Sequence, residues 1–274
     1  MSTAETCGQM PELTTDRLLG QRITIVQPAR GFRAGSDSLL LAASVPARSG
    51  ERVLEAGIGP GGAAMALLAR VEGVHLTGIE SEAEHAELAI RNARENGFAD
   101  RCEVINCTIA EATAEGLRSR GVEAGFDHAM TNPPFFEKGR VRASDNASRR
   151  AGNMGEAGQL GTWIARLADA TKGGGTVTMI HRAGALGEVV AAFVRHVGGP
   201  DILPIAAHPG DDATRAIVQA RKGSRAEPRL MAPLVMHCAD GSYTDEAEDV
   251  LRHGAALDFR SSPVSITAAM SQEK

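Results

Sequence analysis

The chain has 274 residues, 43% hydrophobic and 23% charged. That is an ordinary globular composition, and it excludes wholesale disorder. Twenty-nine Lys and Arg against 34 Asp and Glu leave a net charge of −5, so a general nucleic-acid coat is excluded and any polyanion must meet a local basic patch.

Residues 1–16 read as a loose tail. Residues 21–27 alternate weakly and predict a strand. A loop at 31–35 follows, then an apolar run at 38–45, with Ser36 or Asp37 as a natural N-cap for a short helix. From residue 51 a rhythm sets in. Strands are predicted at 52–56, 74–79, 102–106, 126–131 and 175–180. Between and after them come helices at 63–70, 83–96, 109–119, 159–171 and 186–196. Residues 137–155 read as a polar loop. Strands alternating with helices of this length make βαβ units, so the sheet is mostly parallel, doubly wound and covered by helices on both faces. After residue 200 the segments 201–208, 213–221 and 230–237 look like strands without helices between them, which predicts an antiparallel edge to the same sheet. We expect one domain over 17–274, with a leading strand and helix (17–50) before a core of 51–258.

Cys7, Cys102, Cys107 and Cys238 form no Cys-x-x-Cys pair and read as small buried hydrophobes, so no metal is expected. No apolar run approaches the ~18 residues of a membrane helix. The expectation is a reducing, cytoplasmic chain with no membrane partner.

Two places concentrate chemistry. The first is the turn after the first core strand, Glu55-Ala56-Gly57-Ile58-Gly59-Pro60-Gly61-Gly62. Glycines there let backbone approach a ligand where any Cβ would collide. Glu80 ends the next strand and is placed to accept hydrogen bonds from ribose hydroxyls. The glycines fit two patterns: G-x-G-x-x-G of dinucleotide sites, and an acid followed by G-x-G-x-G of S-adenosylmethionine sites. Glu55 suits an ammonium and opposes a pyrophosphate. Pro60 removes an N–H that a pyrophosphate would use.

The second is Asn132-Pro133-Pro134-Phe135, at the ligand-facing end of the fourth core strand. The prolines hold the Asn132 side-chain oxygen and the Pro133 carbonyl as two fixed acceptors. Two acceptors converging on one NH₂ group take both its protons and draw the nitrogen lone pair out of conjugation. Phe135 offers a face for a planar base.

Together these motifs resemble class I S-adenosylmethionine-dependent methyltransferases of the amino-methylating branch. The stretch Phe32 to Ala42, with 216–222, 233–237 and Tyr243-Thr244, narrows the likeness to the bacterial tRNA(Val) adenine-N(6) methyltransferases. The resemblance implies a seven-stranded Rossmann-like methyltransferase sheet with S-adenosylmethionine as cofactor and an adenine amine in RNA, tRNA above all, as acceptor. It assigns Glu55, Ala56, Gly57, Gly59 and Gly61 to the methionine part of the cofactor and Glu80 to its ribose. Asn132, Pro133, Pro134 and Phe135 fall to the target amine and base, with Asn132 also beside the cofactor. Many relatives place an Asp after the third strand, against the cofactor's adenine. Here the segment is Asn106-Cys107-Thr108-Ile109, so Thr108 or Asn106 is expected to act instead.

Lys138, Arg140, Arg142, Arg149 and Arg150 fall within thirteen residues, opposed by Asp145 alone. They read equally as RNA phosphate contacts and as a solvated loop. A second basic group, Arg215, Arg221, Lys222, Arg225 and Arg229, reads rather as edge-strand protection. No DNA partner is expected. The competing readings are a glutamine-amide methyltransferase acting on a protein such as a release factor, a non-catalytic RNA-binding protein on this fold, and a nicotinamide oxidoreductase.

Overall fold

The computed structural model describes residues 12–31, 33–134, 156–259 and 265–267. Residues 13–16 of the expected tail are strand. β1 (Leu13–Leu18) pairs antiparallel with β2 (Ile23–Pro28), and Leu18 faces Ile23 across the turn. β1 is too polar (Leu-Thr-Thr-Asp-Arg-Leu) to announce itself, and its residues alternate between exposed and half-buried. α1 (Ser36–Ser44) follows.

The central sheet has five parallel strands in the order β5-β4-β3-β6-β7. These are β3 (Arg52–Ala56), β4 (His75–Glu80), β5 (Cys102–Asn106), β6 (Phe126–Thr131) and β7 (Thr171–Arg182). The intervening helices are α2 (Gly62–Arg70), α3 (Ala83–Glu95), α4 (Ala114–Arg118) and α5 (Glu156–Ala170). α4 is shorter than the predicted 109–119. Thr113 caps it, its hydroxyl accepting from the Gly116 amide at 2.9 Å, while residues 109–111 form a turn.

After α6 (Leu186–His196) come β8 (Asp201–Ala206) and β9 (Arg215–Arg221). The antiparallel member is β9, seated between β7 and β8, two places in from the edge. The segment 230–237 is not one antiparallel strand. It forms two two-residue strands, β10 (Arg229–Leu230) and β11 (Leu234–Val235), both parallel to β8. Pro233 lies between them and has no N–H to continue a ladder.

One apolar core gathers α1, α2, β2 and the inner face of α3. The other gathers α5, α6 and Leu117 of α4. α3 turns Ala86, Ala89 and Ala93 inward at helical spacing, with Asn92 buried among them. Asn92 and Asn96 hydrogen-bond the Val26 and Thr24 backbone and so occupy the free edge of β2. The chain winds outward from β3 in one direction through β4 and β5, and in the other through β6 and β7. That reversal opens a crevice at the C-terminal ends of β3 and β6, where such sheets bind ligands.

Candidate active site

Ala56 lies opposite Thr131 in register, so Gly57 and Asn132 leave neighbouring strands at one level. Adjacent strands are about 4.8 Å apart. The Thr131 hydroxyl donates to the Ala56 carbonyl at 2.8 Å and ties the two strand ends together. The glycine turn and the Asn-Pro-Pro turn therefore share the mouth of the crevice.

The glycine turn is held mostly by its own amides. Gly57 and Ile58 N–H donate to the Ile79 carbonyl at 2.8 and 3.0 Å, and Gly61 N–H to Ile58 at 2.9 Å. Gly59 N–H donates to the Glu80 carboxylate at 2.9 Å. The Ala64 N–H, in the first turn of α2, serves the Glu55 carboxylate. A pyrophosphate would need these donors, and they are engaged. Gly57, Gly59 and Gly61 all sit at positive φ, at 70, 54 and 91°. At Gly62 the demand is steric: a Cβ would lie 2.3 Å from the Ala34 Cβ.

Glu55 is 2% exposed, and its Oε2 has no hydrogen-bond partner among the described residues. Burial, reinforced by the charge of Glu80, pushes its carboxyl well above the usual carboxylate range, against the pull of the Ala64 N–H. Glu80 is satisfied instead. Its second oxygen accepts from the Glu82 amide at 3.0 Å, so it shapes the loop while keeping lone pairs for a hydroxyl. Asn132 is buried, and its Oδ1 also lacks a partner among the described residues. Pro133 is buried and Pro134 exposed. Two buried oxygens without a partner among the described residues, one on each side of the crevice between the glycine turn and the Asn-Pro-Pro turn, suit a cationic ligand and an N–H donor. The ammonium and sulfonium of S-adenosylmethionine meet that test, as does an acceptor amine.

Thr108 is exposed at the end of β5. Its N–H and hydroxyl both donate to Glu111, at 2.9 and 2.7 Å. An acid, Glu111, thus lies against Thr108 from three residues further on, with its carboxyl held below the usual range first by the Thr108 N–H. Asn106 donates to the Glu80 and Ser81 carbonyls. Phe32, Phe135, Lys138, Arg140, Arg142, Arg149 and Arg150 lie outside the described residues. The second basic group is split across the sheet. Arg215 pairs with Asp37 at the ligand-facing end, at 3.0 Å. Lys222 and Arg229 bond backbone carbonyls and Asp201 at the other end.

Sequence reading missed Asn92 and Trp163. Asn92, with no exposed surface, donates to the Pro60 carbonyl at 2.8 Å and to the Val26 carbonyl, and accepts from the Val26 amide. It anchors the glycine turn to β2. Trp163, the chain's one Trp, leans from α5 onto Gly57. A cavity of about 1370 Å³ opens elsewhere, among Arg17, Arg22, Leu39, Arg70, Tyr243 and Arg252. Arg22 and Arg70 spend their guanidinium groups there on backbone carbonyls, which makes it a packing groove. Among the described residues no cluster is placed to hold a metal, and no helix is long and apolar enough to cross a membrane.

A glycine turn, an acid on the next strand and a polar turn across the switch point are the elements of a nucleoside-cofactor site. Residues 31–153 match the family model of the methyltransferase small domain. A solved structure described as a predicted O-methyltransferase, from Agrobacterium tumefaciens, is 30% identical with a TM-score of 0.66. The match covers 78% of this chain and 94% of that one. The chain belongs to the S-adenosylmethionine-dependent methyltransferases, and S-adenosylmethionine is its cofactor. A Flavobacteriaceae tRNA1(Val) (adenine(37)-N6)-methyltransferase is 30% identical over 117 residues, 43% of this chain. The chain spans about half of that relative's length (47%). The protein of the same name from Porphyromonas gingivalis is 28% identical over 85% of this chain and 92% of its own. The T. thermophilus 16S rRNA N2 G1207 methyltransferase shares the fold. Its TM-score is 0.53 at 18% identity, over 81% of this chain and 53% of that one.

Proposed function

We propose that this protein methylates the exocyclic amine of an adenine in RNA, with tRNA as the substrate. The observation that carries the reading is the buried Asn132 Oδ1, without a hydrogen-bond partner among the described residues, at the level of the glycine turn. Buried polar atoms are nearly always paired in folded proteins, so an orphan at a ligand crevice marks a partner's place. The names of the relatives supply the adenine and the tRNA.

In this reading Asn132 Oδ1 and the Pro133 carbonyl each accept one proton of the amine. They fix the nitrogen and leave its lone pair directed into the crevice. Bound cofactor supplies an electrophilic methyl group on its sulfonium. Pro133 and Pro134 keep the acceptors from rotating away, so the chain's contribution is chiefly positioning. No base is needed before attack, since the amine sheds its proton afterwards. Phe135 stacks on the base, and Glu55 and Glu80 hold the methionine ammonium and the ribose. Lys138, Arg140, Arg142, Arg149 and Arg150 grip the RNA backbone.

The test is labelled S-adenosylmethionine with total RNA or total protein from cells lacking the methylation. Label in N6-methyladenosine of tRNA is the expected outcome. Label confined to protein would transfer the same amine chemistry to a glutamine amide and end the RNA assignment.

A further inference from the structure

Trp163 is the one Trp of a chain with few aromatics, and it stands against the glycine turn. A Cβ on residue 57 would lie 2.9 Å from its Cη2 and 3.1 Å from its Cζ3. Gly57 is at φ +70°, so both the backbone and the space at this position exclude a side chain. The indole meets Gly57 by the edge of its six-membered ring, and an edge contact leaves both ring faces for other neighbours. Its helix explains the placement. Leu160, Ile164 and Leu167 are fully buried in the core beneath the sheet, whereas Trp163 is only half-buried. The same ring therefore touches the core and reaches the crevice mouth. Asn132 is one strand away at the same level.

From this placement we infer that Trp163 is a wall of the methyl-transfer crevice that distinguishes the cationic cofactor from its neutral by-product. Transfer moves a methyl from sulfur to the acceptor. The sulfur takes back the bonding electron pair and changes from sulfonium to uncharged thioether. An aromatic face attracts a cation and is indifferent to a thioether of the same shape, and indole is the strongest such face among side chains. A Trp beside the turn then favours the loaded state and lets the spent cofactor go. The inference rests on the cofactor assignment and is independent of the RNA assignment.

Calorimetry with S-adenosylmethionine and S-adenosylhomocysteine tests it in wild type, Trp163→Phe and Trp163→Leu. The expectation is a several-fold loss of S-adenosylmethionine affinity in Trp163→Leu, about 3- to 20-fold on the scale of cation–π contacts, with a smaller loss in Trp163→Phe. S-adenosylhomocysteine affinity stays within about twofold. Because Trp163 is the sole Trp, wild-type tryptophan emission is also expected to respond to saturating S-adenosylmethionine, and that readout needs no variant. An equal loss for both ligands, or no loss for either, overturns the discrimination. Unchanged emission at saturation overturns the contact. Wild type that binds neither ligand overturns the cofactor assignment itself, and the inference with it.

Discussion

The two sides of the crevice are finished to different degrees. On the β3–β4 side the polar groups are mostly partnered: Glu80 takes the Gly59 and Glu82 amides, Asn92 takes Pro60, and Asn106 takes the Glu80 and Ser81 carbonyls. On the β6 side the buried Asn132 keeps an oxygen with no described partner. The cofactor side is a largely pre-formed mould, with the buried Glu55 Oε2 its exception, left without a partner among the described residues. On the proposed acceptor side the Asn132 oxygen has no hydrogen-bond partner among the described residues, a place the proposed reading gives to the substrate amine.

Asn132→Ala breaks the comparison most severely. Transfer is expected to fall by roughly 10²–10³-fold, the scale for one lost preorganised hydrogen-bonding group. Cofactor affinity, measured by calorimetry, should stay within a few fold. Wild-type turnover in that variant would remove the amine clamp. The mirror experiment is Asn92→Ala. It strands the buried Val26 amide and carbonyl and frees Pro60, so the loss falls on the mould. We expect about 2–4 kcal/mol of stability to go. Cofactor affinity should weaken about tenfold, while turnover at saturating cofactor is largely kept. A melt within a degree of wild type would show that the mould does not depend on this asparagine.

The sheet was legible because βαβ alternation is a strong periodic signal, and the glycine turn because few residues fit its positive φ values. Side-chain anchors were much less legible. Asn92 sits in a helix whose pattern says only that one face is buried, and its target, Pro60, is 32 residues away. Trp163 was marked by scarcity alone, with nothing in the sequence to place it on Gly57. Glu111 lay three residues beyond the position where an acid was sought, and only the turn at 109–111 brings it back to Thr108. Glu55 was read as facing a ligand, yet one interaction of its carboxylate goes to the start of α2. What sequence patterns encode is local periodicity. What they leave out is which distant backbone group a polar side chain will reach.

Charge removal at Arg149 and Arg150 sharpens the acceptor side at smaller scale. RNA affinity should drop several-fold in dilute salt, and the slope of log affinity against log salt should flatten by up to about two. Cofactor binding is expected to be untouched. An unchanged slope would return the 137–155 segment to a solvated loop.

The subtlest effect belongs to Glu55, where the two sides meet. Its carboxyl is raised well above the ordinary 4.5 by burial and by Glu80. A group raised in the folded state binds its proton more tightly there than in the unfolded chain. Its contribution to stability is therefore fully present below about pH 4.5 and is lost as pH climbs through the raised value. Glu55→Gln removes that loss. Without cofactor the variant should melt a few degrees above wild type at neutral pH and near wild type in mild acid. The same substitution removes the anion that a bound ammonium would meet, so cofactor affinity should fall although stability rises. Wild type should also release a proton on binding cofactor, seen as a heat that changes with the ionisation enthalpy of the buffer. In Glu55→Gln that dependence should vanish. Proton release of equal size in both proteins would separate Glu55 from the cofactor and leave it as the N-terminal cap of α2 alone.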